Sequence, residues 1–127
     1  TLTHVTAVRN ALADEVVDRI DAGTTNTEGK VRIQTSADAT IVDIPLAQPA
    51  FGAAASGTAT ALGVPHEGTA TATGTAAKFR VLDRDDAEIF QGTVTATSGG
   101  GDMELSSTSI TTSDVVRINS FTYTASA

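Results

Sequence analysis

Cysteine and tryptophan are absent from this 127-residue chain; methionine and tyrosine occur once each, proline three times and phenylalanine four times. Without cysteine there is no disulfide framework, no thiolate nucleophile and no cysteine-ligated zinc. Basic residues are scarce. Eight Lys and Arg face 15 Asp and Glu, the formal net charge is −7, and no basic run occurs. Nucleic-acid binding gains affinity by neutralising phosphates, so DNA or RNA partners are disfavoured, as is an anionic membrane surface. No apolar run approaches the roughly 20 residues needed to cross a bilayer. Thr1-Leu2-Thr3-His4 has neither the basic nor the apolar segment of a signal peptide, and none is expected here. Leu, Ile, Val and Phe together number only 28. That share sits just above the roughly 20% below which charged chains stay disordered. Such a thin core needs many short elements sharing it, or a partner subunit completing it.

What the chain does have is threonine and alanine, about one third of all residues. Threonine is β-branched and suits a pleated, half-exposed surface. The length is that of one domain, residues 1–127. Thr3 to Ala22 reads as the one convincing helix, within an N-terminal segment 1–23. Val5, Val8, Leu12, Val16 and Ile20 fall on one stripe at i, i+3, i+4 spacing. Asn10, Asp14, Asp18 and Asp21 lie away from it. Thr3 is the candidate N-cap and Gly23 the candidate left-handed stop. Glu15 and Arg19 form a favourable i, i+4 pair. The stripe must be covered by a sheet face, an open end of the β structure, or a neighbouring protein.

From Gly29 onward the period changes to two. Strands are expected at 30–35, 41–46, 57–62, 69–73, 78–83, 88–97, 102–106 and 115–124. Pro45 marks a sheet edge, Gly63 to Gly68 a turn, Gly92 a bulge, and Asn119 a second irregularity. About eight short strands at this spacing predict a mainly β fold, an antiparallel β-sandwich or barrel over residues 29–127, with one N-terminal amphipathic helix. The strands are too closely spaced for parallel units joined by crossover helices.

No constellation reads as catalytic. Asp83-Arg84-Asp85-Asp86-Ala87-Glu88 begins like a calcium loop. It then has Glu88 where the tight-turn glycine belongs and no closing glutamate, so it reads as a hairpin turn. Gly52 to Thr58 lacks the lysine of a phosphate loop. His4 and His66 are the only histidines; both are expected at the surface, without a nucleophile elbow or a triad signature. Phe79, Phe90 and Phe121 sit in strand patterns and are expected in the core. Phe51, between Pro49 and Gly52, is either an exposed anchor or a plug for one end of the sandwich. No enzyme activity, cofactor or metal is expected.

Several stretches carry a family resemblance. These are Thr3-His4-x-x-Ala7-x-Arg9-Asn10-x-Leu12-Ala13-Asp14 with Asp21-Ala22-Gly23; Pro49-Ala50-Phe51-Gly52 through Ala59; Phe79 through Asp83-Arg84-Asp85 to Phe90-Gln91-Gly92; and Gly99-Gly100-Gly101-Asp102-Met103-Glu104-Leu105-Ser106-Ser107, followed by Ser113-Asp114-Val115 and Phe121-Thr122-Tyr123-Thr124. In this order they resemble small virion proteins of tailed bacteriophages, similar to head decoration or cement proteins. The resemblance spans nearly the whole chain and brings no catalytic residues. It implies a structural protein on the outer surface of the virion head, with the major capsid protein as partner. The expected assembly is a homo-oligomer, a trimer where three capsomers meet. On that reading the candidate capsid contacts are Thr1, Leu2, Thr3 and His4 and the loop residue Phe51. The alternative is a tail, neck or fibre-associated structural or binding protein.

Overall fold

The computed structural model describes residues 3–118 and 120–125. Helix α1 spans Thr6–Asp18 and runs into a 3-10 turn, Arg19–Asp21. Among the described residues eleven strands follow: β1 (Lys30–Gln34), β2 (Thr40–Pro45), β3 (Thr58–Thr60), β4 (His66–Thr69), β5 (Gly74–Thr75), β6 (Lys78–Leu82), β7 (Glu88–Ala96), β8 (Met103–Leu105), β9 (Ser109–Ile110), β10 (Val115–Ile118) and β11 (Thr122–Thr124). The mainly β expectation holds. The count exceeds eight because some strands are only two or three residues long.

Five strands form one sheet in the order β2-β1-β6-β7-β8; the others pair as β10-β4, β11-β3 and β5-β9. The result is a sandwich- or barrel-like body. Alternation places Val31 and Ile33 of β1, Phe79 and Val81 of β6, and Met103 and Leu105 of β8 in the core. Val116 and Ile118 of β10 and Ala59 of β3 meet them from the small sheets. With so few large side chains, the aromatics cluster. Phe121 stacks edge-on against Phe51 and Phe79, with centroids 5.5 and 5.9 Å away. Phe90 joins Phe79 at 6.4 Å and Tyr123 at 5.1 Å. Such pairs each add about 0.5–1.5 kcal/mol beyond area burial.

Several local expectations are corrected. The Gly63–Gly68 turn contains most of β4, because the backbone of His66–Thr69 pairs with β10. Conversely, Thr71 to Thr73 lie outside any strand. Gly92 stays in register opposite Phe79, and the bulge falls at Ile89, where the partner of Val81 is Phe90 and that of Leu82 is Glu88. The glycine serves close packing instead: a Cβ at Gly92 would lie 2.6 Å from the Phe79 ring. The expected irregularity at Asn119 lies outside the described residues.

The pair β7–β8 is parallel, with Val94 opposite Met103 and Ala96 opposite Leu105. All other strand pairs are antiparallel. Parallel neighbours ordinarily need a dozen or more linking residues. Here the link is short because its own side chains fold it back. The Asp102 carboxylate accepts the Thr93 N–H, and Gly101 N–H donates to Thr95 Oγ1. Glu104 accepts the N–H groups of Ser98 and Gly100.

Candidate interaction surface

The helix covers only part of its apolar stripe: Ile20 is buried and Val16 half-buried, but Val5, Val8 and Leu12 are left outside. Ala13, Val17 and Ile20 are its buried residues. Val5 is 70% exposed, and Val8 and Leu12 are 42% exposed each. Asn10, Asp14 and Asp21, expected to face solvent, face the segment 50–57. Asp21 Oδ1 accepts the Ala50 N–H at 2.9 Å, Asp14 Oδ1 the Ala54 N–H at 2.7 Å, and Asn10 Oδ1 the Gly57 N–H at 2.7 Å. The segment 50–57 is largely irregular, so its backbone donors need partners. Three polar side chains along one side of α1 and its 3-10 turn supply them. Arg9 adds a close seat on Gly57: a Cβ there would lie 2.7 Å from the guanidinium carbon.

Both ends of the helix differ from expectation. Val5 precedes the first turn without a side-chain cap, so Thr3 is not the N-cap. Nor is Gly23 the left-handed stop: the extended Ala22, at φ −80° and ψ 149°, caps the 3-10 turn, and Gly23 follows at φ +117° in close approach to Asp85. The Glu15–Arg19 pair forms, at 2.8 Å, with both side chains 65% exposed. At that exposure it contributes a few tenths of a kcal/mol at most.

The excess acidity has a structural explanation. Six of the 15 carboxylates are ion-paired: Glu15, Asp38, Asp43, Glu67, Asp86 and Glu88. Of the nine that are not, seven accept backbone N–H bonds, chiefly in loops. These are Asp14, Asp21, Asp83, Asp85, Asp102, Glu104 and Asp114. Asp83 receives Asp85 and Ala87, which closes the β6–β7 hairpin turn expected there. Asp85 receives Thr24 and Thr25 at 2.9 Å each, tying the chain after the helix to that hairpin. These two donors hold the Asp85 carboxyl below the usual carboxylate range, and Lys30 does the same for Asp86. Burial pushes Asp21 up, against the opposing effect of the Ala50 N–H.

Each of the eight Lys and Arg side chains likewise meets an acceptor within the chain, although the buried Nε of Arg9 has none. Lys30, Arg32, Lys78 and Arg80 lie on adjacent strands β1 and β6 and pair with Asp86, Asp43, Asp38 and Glu88. Arg19 and Arg117 pair with Glu15 and Glu67. Arg9 donates to the Ala125 carbonyl and Arg84 to that of Asn26. Arg32 and Arg80 stand directly opposite each other on β1 and β6, and the carboxylates that balance this cluster come from β2, β7 and two connecting turns, a pairing that only the tertiary structure shows.

The candidate contacts separate. Thr3 and His4 are exposed beside the start of α1. Thr1 and Leu2 lie outside the described residues. Phe51 is 5% exposed against Phe121, the plug of the two readings and not an exposed anchor. His66, expected at the surface, is 8% exposed and its Nε2 lies 2.9 Å from the Leu62 carbonyl oxygen. A cleft of about 600 Å³ lies between β8 and β10, bordered by Thr97, Leu105, Ser107 and Arg117. The two carboxylates at its edge, Glu104 and Asp114, are those already bonded to loop backbone. Among the described residues no group of three His, Asp or Glu could hold a metal ion, and no helix is long and apolar enough to cross a membrane.

Comparison with protein-family models, with curated proteins and with solved structures gives no match.

Proposed function

We propose that the chain is a bacteriophage capsid decoration, or cement, protein that binds the outside of the head and stabilises contacts between capsomers. The observation that carries this reading is the orientation of α1. Its polar side is spent on fastening the 50–57 segment, and Val5, Val8 and Leu12 are left facing solvent. Exposed apolar residues are ordinary singly; aligned on one face of a helix they mark a docking surface. The body behind the helix suits a load-bearing wedge. Its loops are stapled by carboxylates, and its small sheets have short edges that resist unwanted strand pairing.

The major capsid protein is the partner in this reading, and Thr3 and His4 flank the contact. A homo-oligomer, a trimer at three-capsomer junctions, belongs to the same proposal, its subunits meeting through surfaces other than α1. The resemblance set out above supplies the virion context.

The test is labelling of purified particles with an antibody against the chain, viewed by electron microscopy. Label over the head is expected. Label confined to the tail, neck or fibres makes it a component of those structures instead. Absence from particles removes the virion assignment.

A further inference from the structure

We infer that the exposed stripe of α1 is covered by a different protein chain, in an apolar groove rimmed by Lys or Arg, and not by a second copy of this protein or by a lipid surface. The inference rests on the virion reading for its setting and deepens it by specifying the chemistry of the receiving surface.

The first ground is charge. The outward side of α1 presents Glu15 and Asp18 beside Val8 and Leu12. Arg19, the one cation there, is already paired to Glu15. A second copy has no free cation to offer these carboxylates. All eight of its Lys and Arg side chains are held by its own acceptors, and it carries the same net charge of −7. Two such faces brought together desolvate like charges, which costs affinity and slows encounter.

The second ground is area. Specific interfaces in general bury about 1,200–2,000 Å² in total, and obligate homodimers about 2,000–5,000 Å². Three partly exposed side chains on a helix of 13 residues fall short of that. As one anchor within a larger contact on another protein the same stripe suffices, because a few central residues carry most of the binding energy. The third ground concerns membranes. Helices that lie on anionic bilayers carry Lys and Arg along the polar face. Here Arg9 is seated inward on Gly57 and the other arginine is paired.

The complementary groove therefore has an apolar floor for Val5, Val8 and Leu12 and positive charge along the side of Asp18, since Glu15 is already paired to Arg19. That is the helix-in-groove mode of recognition, with anchors at i, i+3 and i+7. Electrostatic attraction across it weakens with added salt.

The experiment uses the full chain and purified phage heads lacking it, with purified tails as a second probe. Binding is measured for wild type, Leu12→Asp and Asp18→Lys over a salt series, and the mass of each free protein by light scattering. Leu12→Asp is expected to weaken head binding about 30-fold or more, the effect of losing a central anchor. Thermal unfolding checks that this variant remains folded. Asp18→Lys is expected to weaken binding several-fold and to flatten its salt dependence.

Head binding by wild type that survives both substitutions overturns the inference and leaves the decoration reading standing. A wild-type oligomer that Leu12→Asp dissociates assigns the stripe to a second copy and overturns it also. Tail binding sensitive to both substitutions, with no head binding, overturns the decoration reading while the groove chemistry holds. Binding to neither particle overturns both.

Discussion

Removing the three acceptors that fasten α1 to the 50–57 segment tests the most unexpected feature of the fold. Each of Asn10→Ala, Asp14→Ala and Asp21→Ala leaves one backbone N–H without its partner. An unsatisfied buried donor costs about 1–3 kcal/mol. Ala50 is 0% exposed and Gly57 is buried, so water does not reach their amides freely. Losses of about 2 kcal/mol are expected for Asp21→Ala and Asn10→Ala. Ala54 is half-buried, and about 1 kcal/mol is expected for Asp14→Ala. The triple variant loses about 5 kcal/mol if the sites are independent, and neighbouring sites shift that sum somewhat. Against a total of about 5–15 kcal/mol, this brings the domain close to unfolding. The assay is urea unfolding at neutral pH, with a constant denaturant slope confirming that the native surface is unchanged. Asp14→Asn and Asp21→Asn keep an amide oxygen in the accepting position, so each is expected to cost under about 0.5 kcal/mol. Asp21→Asn is expected to be neutral or stabilising, because burial already disfavours that carboxylate's charge. If the Ala and Asn variants fall equally, or neither falls, the side-chain oxygens do not hold the segment.

Three further outcomes follow from the same geometry. Asp85 and Asp86 have folded-state pKa values below their ordinary 3.8, so their contribution is present above that value and is lost as pH falls through the lower, folded values. Asp21 is raised, so it acts in the opposite sense, its contribution lost as pH rises through its folded value. Melting temperature followed from about pH 5 to pH 2 is therefore expected to drop less in Asp85→Asn than in wild type; equal drops refute the Asp85 staple. Gly92→Ala places a methyl 2.6 Å from the Phe79 ring. A loss of about 1–3 kcal/mol is expected by denaturation, and a loss under 0.5 kcal/mol, read to about that precision, says the ring yields. Leu12→Asp is expected to leave stability within about 1 kcal/mol, whereas Ile20→Ala, at a fully buried site, costs about 2–5 kcal/mol; reversed magnitudes place the wrong side of the helix inward.

The β body was legible because alternation is a local signal. Val31 and Ile33, and Phe79 and Val81, face the core as their spacing implies. Pro45 does end an edge strand. The helix was legible in existence but not in facing. Val5, Val8 and Leu12 make the more apolar stripe, and periodicity does not reveal whether an apolar stripe is covered by its own chain or by another. The inward side holds Ala13 and Val17 between Asn10, Asp14 and Asp21, a pattern that reads as polar until the loop amides it serves are known. Strand β4 was hidden because Gly68 and Pro65 look like turn residues. A Cβ at Gly68 would lie 2.6 Å from the Asp43 carbonyl oxygen, so this glycine marks a close approach to β2. The parallel β7–β8 pair depends on side chains folding a short loop, a tertiary feature with no periodic trace.

The most direct measurement is a cryo-EM reconstruction of intact particles at side-chain resolution. Expected is density for this fold on the head exterior, with Val8 and Leu12 of α1 buried against the capsid protein and a basic side chain beside Asp18. Density on the head with that stripe facing solvent, or density on the tail alone, contradicts the proposed mode of action.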